Sequence, residues 1–200
     1  MAISAEETRG MRQMIPCDSD PTDLLQARRK DQRDRVVPFG VMSVRELLID
    51  TFAHIPPASA LDGLTGADAE RRVPGANHSS AEIVAHLNFW ATWFCDRCEG
   101  TGAPMVTSAA SGWPAVAPGS WPELHAQFLS TLERAASLGD DPARLANPIA
   151  PPIEFPPLAS YTIRDALVHV GQHNAHHLGQ VIVLRQIMGL WPPPAGSWTW

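Results

Sequence analysis

Three copies of one helix-start pattern constrain the fold of this chain more than any other sequence feature. The pattern is Ser-x-x-Glu, and it occurs at Ser43–Glu46, Ser79–Glu82 and Ser120–Glu123. In such a capping box the serine hydroxyl accepts a hydrogen bond from an amide of the first turn, and the glutamate reaches back to the serine amide. Apolar residues spaced by three and four follow each box, which is typical of an amphipathic helix. The chain is therefore predicted to start at least three helices after residue 40.

The spacing of apolar residues predicts a fourth and longest helix, which begins near Ser160 or Thr162 and continues to Met188, with Gly189 as its stop. No segment alternates apolar and polar residues as a half-buried strand would, so we predict an all-α domain, a four-helix bundle. The connections 101–119 and 139–159 are long enough for an up-up-down-down order as well as for simple alternation. The first three predicted helices have apolar patterns over 44–55, 83–94 and 124–138.

The chain divides into three parts by composition. Residues 1–40 form a polar extension that includes a short predicted helix over about 22–35, residues 41–190 form the bundle, and 191–200 form a tail rich in Pro and Trp. The prolines prevent the tail from being helical. We expect it to pack back along the bundle through its tryptophans.

Charge and composition exclude several classes of function. The net charge is −6 and Lys30 is the only lysine, so neither a basic nucleic-acid surface nor a phosphate-binding GxxxxGK loop is expected. The sequence has no apolar run of membrane-spanning length and no secretory signal at its N-terminus. Three cysteines do not form a disulfide framework, so we expect reduced thiols and a cytoplasmic location.

Four of the eight histidines lie within nine residues of the fourth predicted helix. His169, His173 and His177 share one face of it, at intervals of four residues. Neighbours at that interval lie roughly 6 Å apart along the axis and can bind one metal ion together, whereas the outer two lie roughly 12 Å apart and cannot. The spacing leaves open whether the pair is His169 with His173 or His173 with His177. Gln180 lies on the same face.

A third ligand has to come from another helix. His86 is the best candidate, because it lies at the edge of the apolar face of the second predicted helix. Glu82 lies one turn before His86. Its carboxylate would either accept a hydrogen bond from a metal ligand or serve as an alternative ligand itself. A metalloprotease would have Glu after its first helical histidine, but Asn174 follows His173, so this class is excluded.

The motif Cys95-x-x-Cys98 is compatible with redox or metal chemistry. Redox motifs of this kind follow a strand, and a structural zinc site needs a second pair of ligands. Neither condition is met, so we interpret both cysteines as small, half-buried structural residues.

Two segments of the chain resemble the DinB-like four-helix bundles, which are also described as metal-dependent hydrolases. They are Asn77–Trp90 and His173–Gly189, and the likeness extends over about 42–195. The resemblance implies an up-up-down-down bundle, often dimeric, with three histidines that bind a divalent metal, usually nickel or zinc. The histidine positions of the family correspond to His86, His173 and His177.

The resemblance also implies an activity. Characterised members transfer a low-molecular-weight thiol of the bacillithiol or mycothiol type, so we expect a metal-dependent thiol transferase that acts on a small molecule as a homodimer, without nucleic-acid or membrane partners. His169, Gln180 and Glu82 would surround the metal or line the substrate, and no residue is assigned to a catalytic step. The alternatives are a metal-dependent hydrolase that uses a metal-bound hydroxide and a non-catalytic, stress-induced binding or dimerisation bundle.

Overall fold

The computed structural model describes residues 42–102 and 104–197. Within these ranges the chain is helical without a β-strand, and one isolated bridge joins Pro148 to Thr162. The prediction of an all-α domain is confirmed, whereas the predicted helix over 22–35, Cys17 and the last three residues lie outside the described part. A 3-10 helix covers Ala109–Gly112. The α-helices are α1 (Val44–Leu48), α2 (Pro57–Leu61), α3 (Gly66–Glu70), α4 (Ser80–Cys98), α5 (Trp121–Leu138) and α6 (Ile163–Ile187).

Two of the three predicted capping boxes are formed. Ser43 with Glu46 starts α1, and Ser79 with Glu82 starts α4. The box predicted at Ser120 is wrong: this residue has ψ near 0° instead of an extended backbone, and its hydroxyl donates to the carbonyl of Ala117. α6 begins with an equivalent box of Thr162 and Asp165, which confirms Thr162 as its start.

The first helix is shorter than predicted. The apolar pattern indicated a helix to Ile55, but α1 ends at Leu48. The hydroxyl of Thr51 accepts a hydrogen bond from the amide of Ala53, and such a local turn competes with helical hydrogen bonding. The chain after α1 is therefore irregular, and Phe52 of the predicted apolar face is exposed.

Two short helices between α1 and α4 were not predicted. α2 starts with Pro57, a residue that suits a first helical position because it needs no amide partner. α3 starts after Thr65, whose hydroxyl accepts from the amide of Asp68. The sequence Thr65-x-x-Asp68 is the signal that could have identified this helix.

α4 lies between α5 and α6 and packs against both. Thr131 of α5 donates to Asn88 of α4, and further along Arg134 pairs with Asp96, so α4 and α5 run in the same direction. The predicted up-up-down-down order, which makes the second and third helices antiparallel, is not confirmed. The long connection over 99–120 explains the difference, because it has the length to return to the starting end of α4.

The apolar core consists of two clusters along α4 and α6. One is built around the first half of α4 and the second half of α6, including Leu87, Val181 and Leu184. The other contains Phe94 near the end of α4 and Leu167 in the first half of α6. The histidine-rich middle of α6 lies between the clusters, so a polar site is enclosed by apolar packing on two sides.

The beginning of the tail follows the prediction. The ring of Trp191 lies 5.6 Å from the guanidinium carbon of Arg185, against the first core cluster. Among the helices described, none combines the length and apolarity that crossing a membrane requires.

Candidate metal centre

α4 and α6 bring His86, His173 and His177 to one point. One ring nitrogen from each lies within 4.8 Å of the other two. The Nε2 atoms of His86 and His173 are 3.1 Å apart, and the ring centres of His173 and His177 are 4.6 Å apart. Two imidazole nitrogens that bind one ion at about 2.0–2.1 Å each lie roughly 3 Å apart, so the three side chains could hold a single metal ion.

Outer hydrogen bonds orient two of these rings. Nδ1 of His86 donates to the carbonyl of Gly112 at 2.6 Å. Nδ1 of His177 donates to Oε1 of Gln180 at 2.8 Å, and the Gln180 amide reaches His176 at 3.3 Å. Because each Nδ1 carries the proton, the Nε2 lone pair of each ring is free for a metal ion. Gln180 was predicted to lie on the same helix face as the histidines, and its partner there is His177.

Burial keeps the three imidazoles neutral. It lowers the pKa of His86 and His177, and together with repulsion from the neighbouring imidazoles it lowers the pKa of His173 to about 3. Only neutral imidazole ligates a metal. The donor set is therefore in its binding form at neutral pH.

A loop residue covers His86 from the side. The indole of Trp113 stacks on the His86 ring at 3.8 Å between centres, and the ring of His78 stacks on the opposite indole face at 3.7 Å. No local pattern marks Gly112 and Trp113 as site residues, because their loop meets α4 only through the tertiary fold. His78 directly precedes the N-cap of α4, and its contact with Trp113 likewise depends on where the loop packs.

A substitution of Gly112 tests whether this loop supports metal binding. A Cβ added there would lie 2.8 Å from Nε1 of Trp90, so either the loop or the Trp90 ring has to shift, and a shift of the loop moves the carbonyl that His86 binds. We expect Gly112→Ala to weaken Zn²⁺ affinity about tenfold, as loss of an outer hydrogen bond typically does. Competition with a chromophoric chelator measures this, with the exposed Ser111→Ala as control. Equal affinities for the two variants would contradict a role of the loop.

Glu82 and His169, which were predicted to surround the metal or line the substrate, have other partners. Glu82 accepts from the amide of Ser79 and from the guanidinium of Arg72, so its carboxylate serves the helix cap. His169 binds the hydroxyl of Tyr161 at 3.1 Å, and its ring centre lies 6.2 Å from that of His173. His169 therefore adjoins the site without belonging to the converging group.

The two cysteines of the CxxC motif lie in the second core cluster, and both are buried. Burial raises the pKa of Cys95 and of Cys98 to about 12. Both thiols therefore stay protonated at neutral pH. The two residues are buried instead of half-buried as predicted.

Comparison with known proteins agrees with this geometry. A search of curated proteins finds no match. A family model of the DinB superfamily matches residues 58–181, which include α4, α5, most of α6 and all three converging histidines. The chain belongs to the DinB superfamily.

Proposed function

We propose that this protein is a metal-dependent enzyme that transfers a low-molecular-weight thiol, of the bacillithiol or mycothiol type, to a small electrophile. The observation that supports this proposal most directly is the convergence of three neutral imidazoles from α4 and α6 on one point. Three nitrogen donors suit nickel or zinc and leave coordination positions open, as catalytic sites do. His86, His173 and His177 would hold the ion.

The protein's own groups prepare this site. Gly112 and Gln180 hold two ligand rings in the tautomer that presents Nε2, and Trp113 covers one ring face. A divalent ion supplies Lewis acidity, which favours the thiolate form of a bound thiol. In the transfer the sulfur–carbon bond forms, the leaving group departs with its electron pair, and the thiol proton passes to solvent.

The roles of Glu82 and Asp165 in helix caps favour thiol transfer over hydrolysis. A hydrolase needs a general base beside the metal, yet Glu82 and Asp165 both serve helix caps. A metal-dependent hydrolase is the second candidate because His169 adjoins His173 and carries a Tyr161 partner that can share a proton.

Conjugation of thiols to monochlorobimane tests the proposal. We expect fluorescent product with bacillithiol or mycothiol in the zinc- or nickel-loaded protein, with chloride as the leaving group and loss of the rate on chelation. A chelator-sensitive hydrolysis of p-nitrophenyl acetate without conjugation would favour the hydrolase. Failure of the untagged protein to bind one metal per chain would favour a non-catalytic bundle.

The proposal includes a homodimer in the cytoplasm that needs neither nucleic acid nor membrane. Sedimentation equilibrium measures the oligomeric state, and a mass of twice 21.7 kDa is the expected result.

A further inference from the structure

A cavity of about 550 Å³ lies beside the candidate metal centre, between α6 and the segment that leads into α4. Pockets of 300–1,000 Å³, roughly, bind small molecules. Gln180 and His176 line it, and both interact with the ligand His177. His78 lines it as well and stacks on Trp113, so the cavity adjoins the centre on two sides.

The lining indicates the chemistry of the occupant. Of the described residues that line this cavity, none is Asp, Glu, Lys or Arg. Its polar groups are those of Asn77, His78, His176 and Gln180, whereas the rest of the wall includes Val73, Ile83 and Leu184. An ionised ligand would lose hydration there without gaining an ion-pair partner from the described lining, so the wall favours an uncharged molecule.

Two exposed apolar side chains extend the same wall towards solvent. Val183 is 51% exposed and Ile187 65% exposed, and both line the cavity. With the apolar wall of the cavity they form one continuous apolar surface, and such surfaces mark interaction sites that include ligand-binding grooves. An occupant that packs against this wall therefore presents apolar surface to it.

We propose that this cavity binds the electrophile of the reaction, an uncharged molecule with an apolar body. The identification of the occupant as the electrophile rests on the proposed function. The cavity's preference for neutral apolar molecules rests on the lining alone, so the two can fail separately.

Gly179 allows the cavity to be filled without disturbing the metal ligands. It lines the cavity on α6, and a Cβ built there meets no atom within 4 Å. Leucine at this position therefore extends into open space and occupies the cavity. Gln186→Leu is the matched control, because it adds leucine to an exposed position of the same helix outside the lining.

The experiment compares two fluorophores with the metal-loaded protein. N-phenyl-1-naphthylamine is neutral, and 1-anilinonaphthalene-8-sulfonate adds one negative charge to the same skeleton. We expect the neutral probe to bind at least tenfold more tightly than the sulfonate. Gly179→Leu should weaken binding of the neutral probe at least tenfold, and Gln186→Leu should leave it unchanged. Metal content and helical circular dichroism, equal in both variants, show that the fold and the centre persist.

Conjugation kinetics distinguish the two inferences. In Gly179→Leu we expect KM for monochlorobimane to rise at least fivefold with KM for the thiol unchanged. The cavity assignment would be overturned if Gly179→Leu conjugated the thiol with an unchanged KM for monochlorobimane, or if it bound the neutral probe as tightly as the wild type. If the wild type bound the probe and Gly179→Leu did not, but neither protein catalysed conjugation, the neutral cavity would be retained and the thiol transferase rejected.

Discussion

Replacing His173 with alanine will abolish stoichiometric metal binding while leaving α6 helical. Nε2 of this residue lies 3.1 Å from that of His86, and its ring adjoins that of His177. If the proposed site is correct, loss of His173 removes a ligand from the middle of the group, so Zn²⁺ affinity should fall by more than the roughly 10- to 100-fold that loss of an outer partner costs. Alanine is the stronger helix former, so circular dichroism should not decrease.

Elemental analysis after dialysis and chelator competition measure this effect. His54→Ala is the control, because its Nδ1 bonds the adjacent backbone carbonyl of Ile55 and the residue lies outside the converging group. It should retain one metal per chain. Unchanged metal affinity in His173→Ala would remove the basis of the proposed function.

The second large effect is expected at Arg185, which has the largest fully buried side chain among the described residues. Its guanidinium donates to the carbonyls of Ala60 and Asp62 and, at 3.2 Å, to that of Leu190. These bonds fasten α6 to the end of α2 and to the chain after α6. Arg185→Met leaves the carbonyls without their donor, and we expect the free energy of unfolding to fall by about 3 kcal/mol or more.

Urea unfolding of the metal-free protein measures the loss at Arg185. Arg185→Lys should lie between the wild type and Arg185→Met, because one ammonium cannot reproduce the planar array of donors. Arg45→Met is the matched control: its ion pair with Glu133 is 2.8 Å long but exposed to solvent, and such exposed pairs contribute little to stability. Equal losses in Arg185→Met and Arg45→Met would contradict the anchoring role.

Capping boxes predicted the starts of α1 and α4, because such a box is decided by residues three apart in the chain. The start of α6 was predicted only as near Ser160 or Thr162, and the structure places its box at Thr162. The helix predicted after Ser120 does start there, but its box is not formed, because the Ser120 hydroxyl is engaged by a turn with Ala117. The apolar pattern failed after Leu48, because the hydroxyl of Thr51 supports a turn that continues no helix. Local preference is decisive only where no competing local hydrogen bond exists.

The histidine positions show a similar division. Helical geometry predicted that His173 could share an ion with a neighbour one turn away, but it could not choose between His169 and His177. The choice follows from where α4 places His86, next to His173 and His177, while His169 binds Tyr161. The family resemblance had indicated the same three residues.

What the sequence alone determined is the helical class, most helix starts and a set of imidazoles on one face, because all of these depend on neighbours within one or two turns. Only the tertiary structure decided that α5 runs parallel to α4, that Gly112 and Trp113 hold His86, and that an uncharged cavity adjoins the centre. Those features join residues far apart in the chain, such as Gly112 and His86, which are 26 positions apart. Their contact is determined by how whole helices and loops pack, which no local pattern encodes.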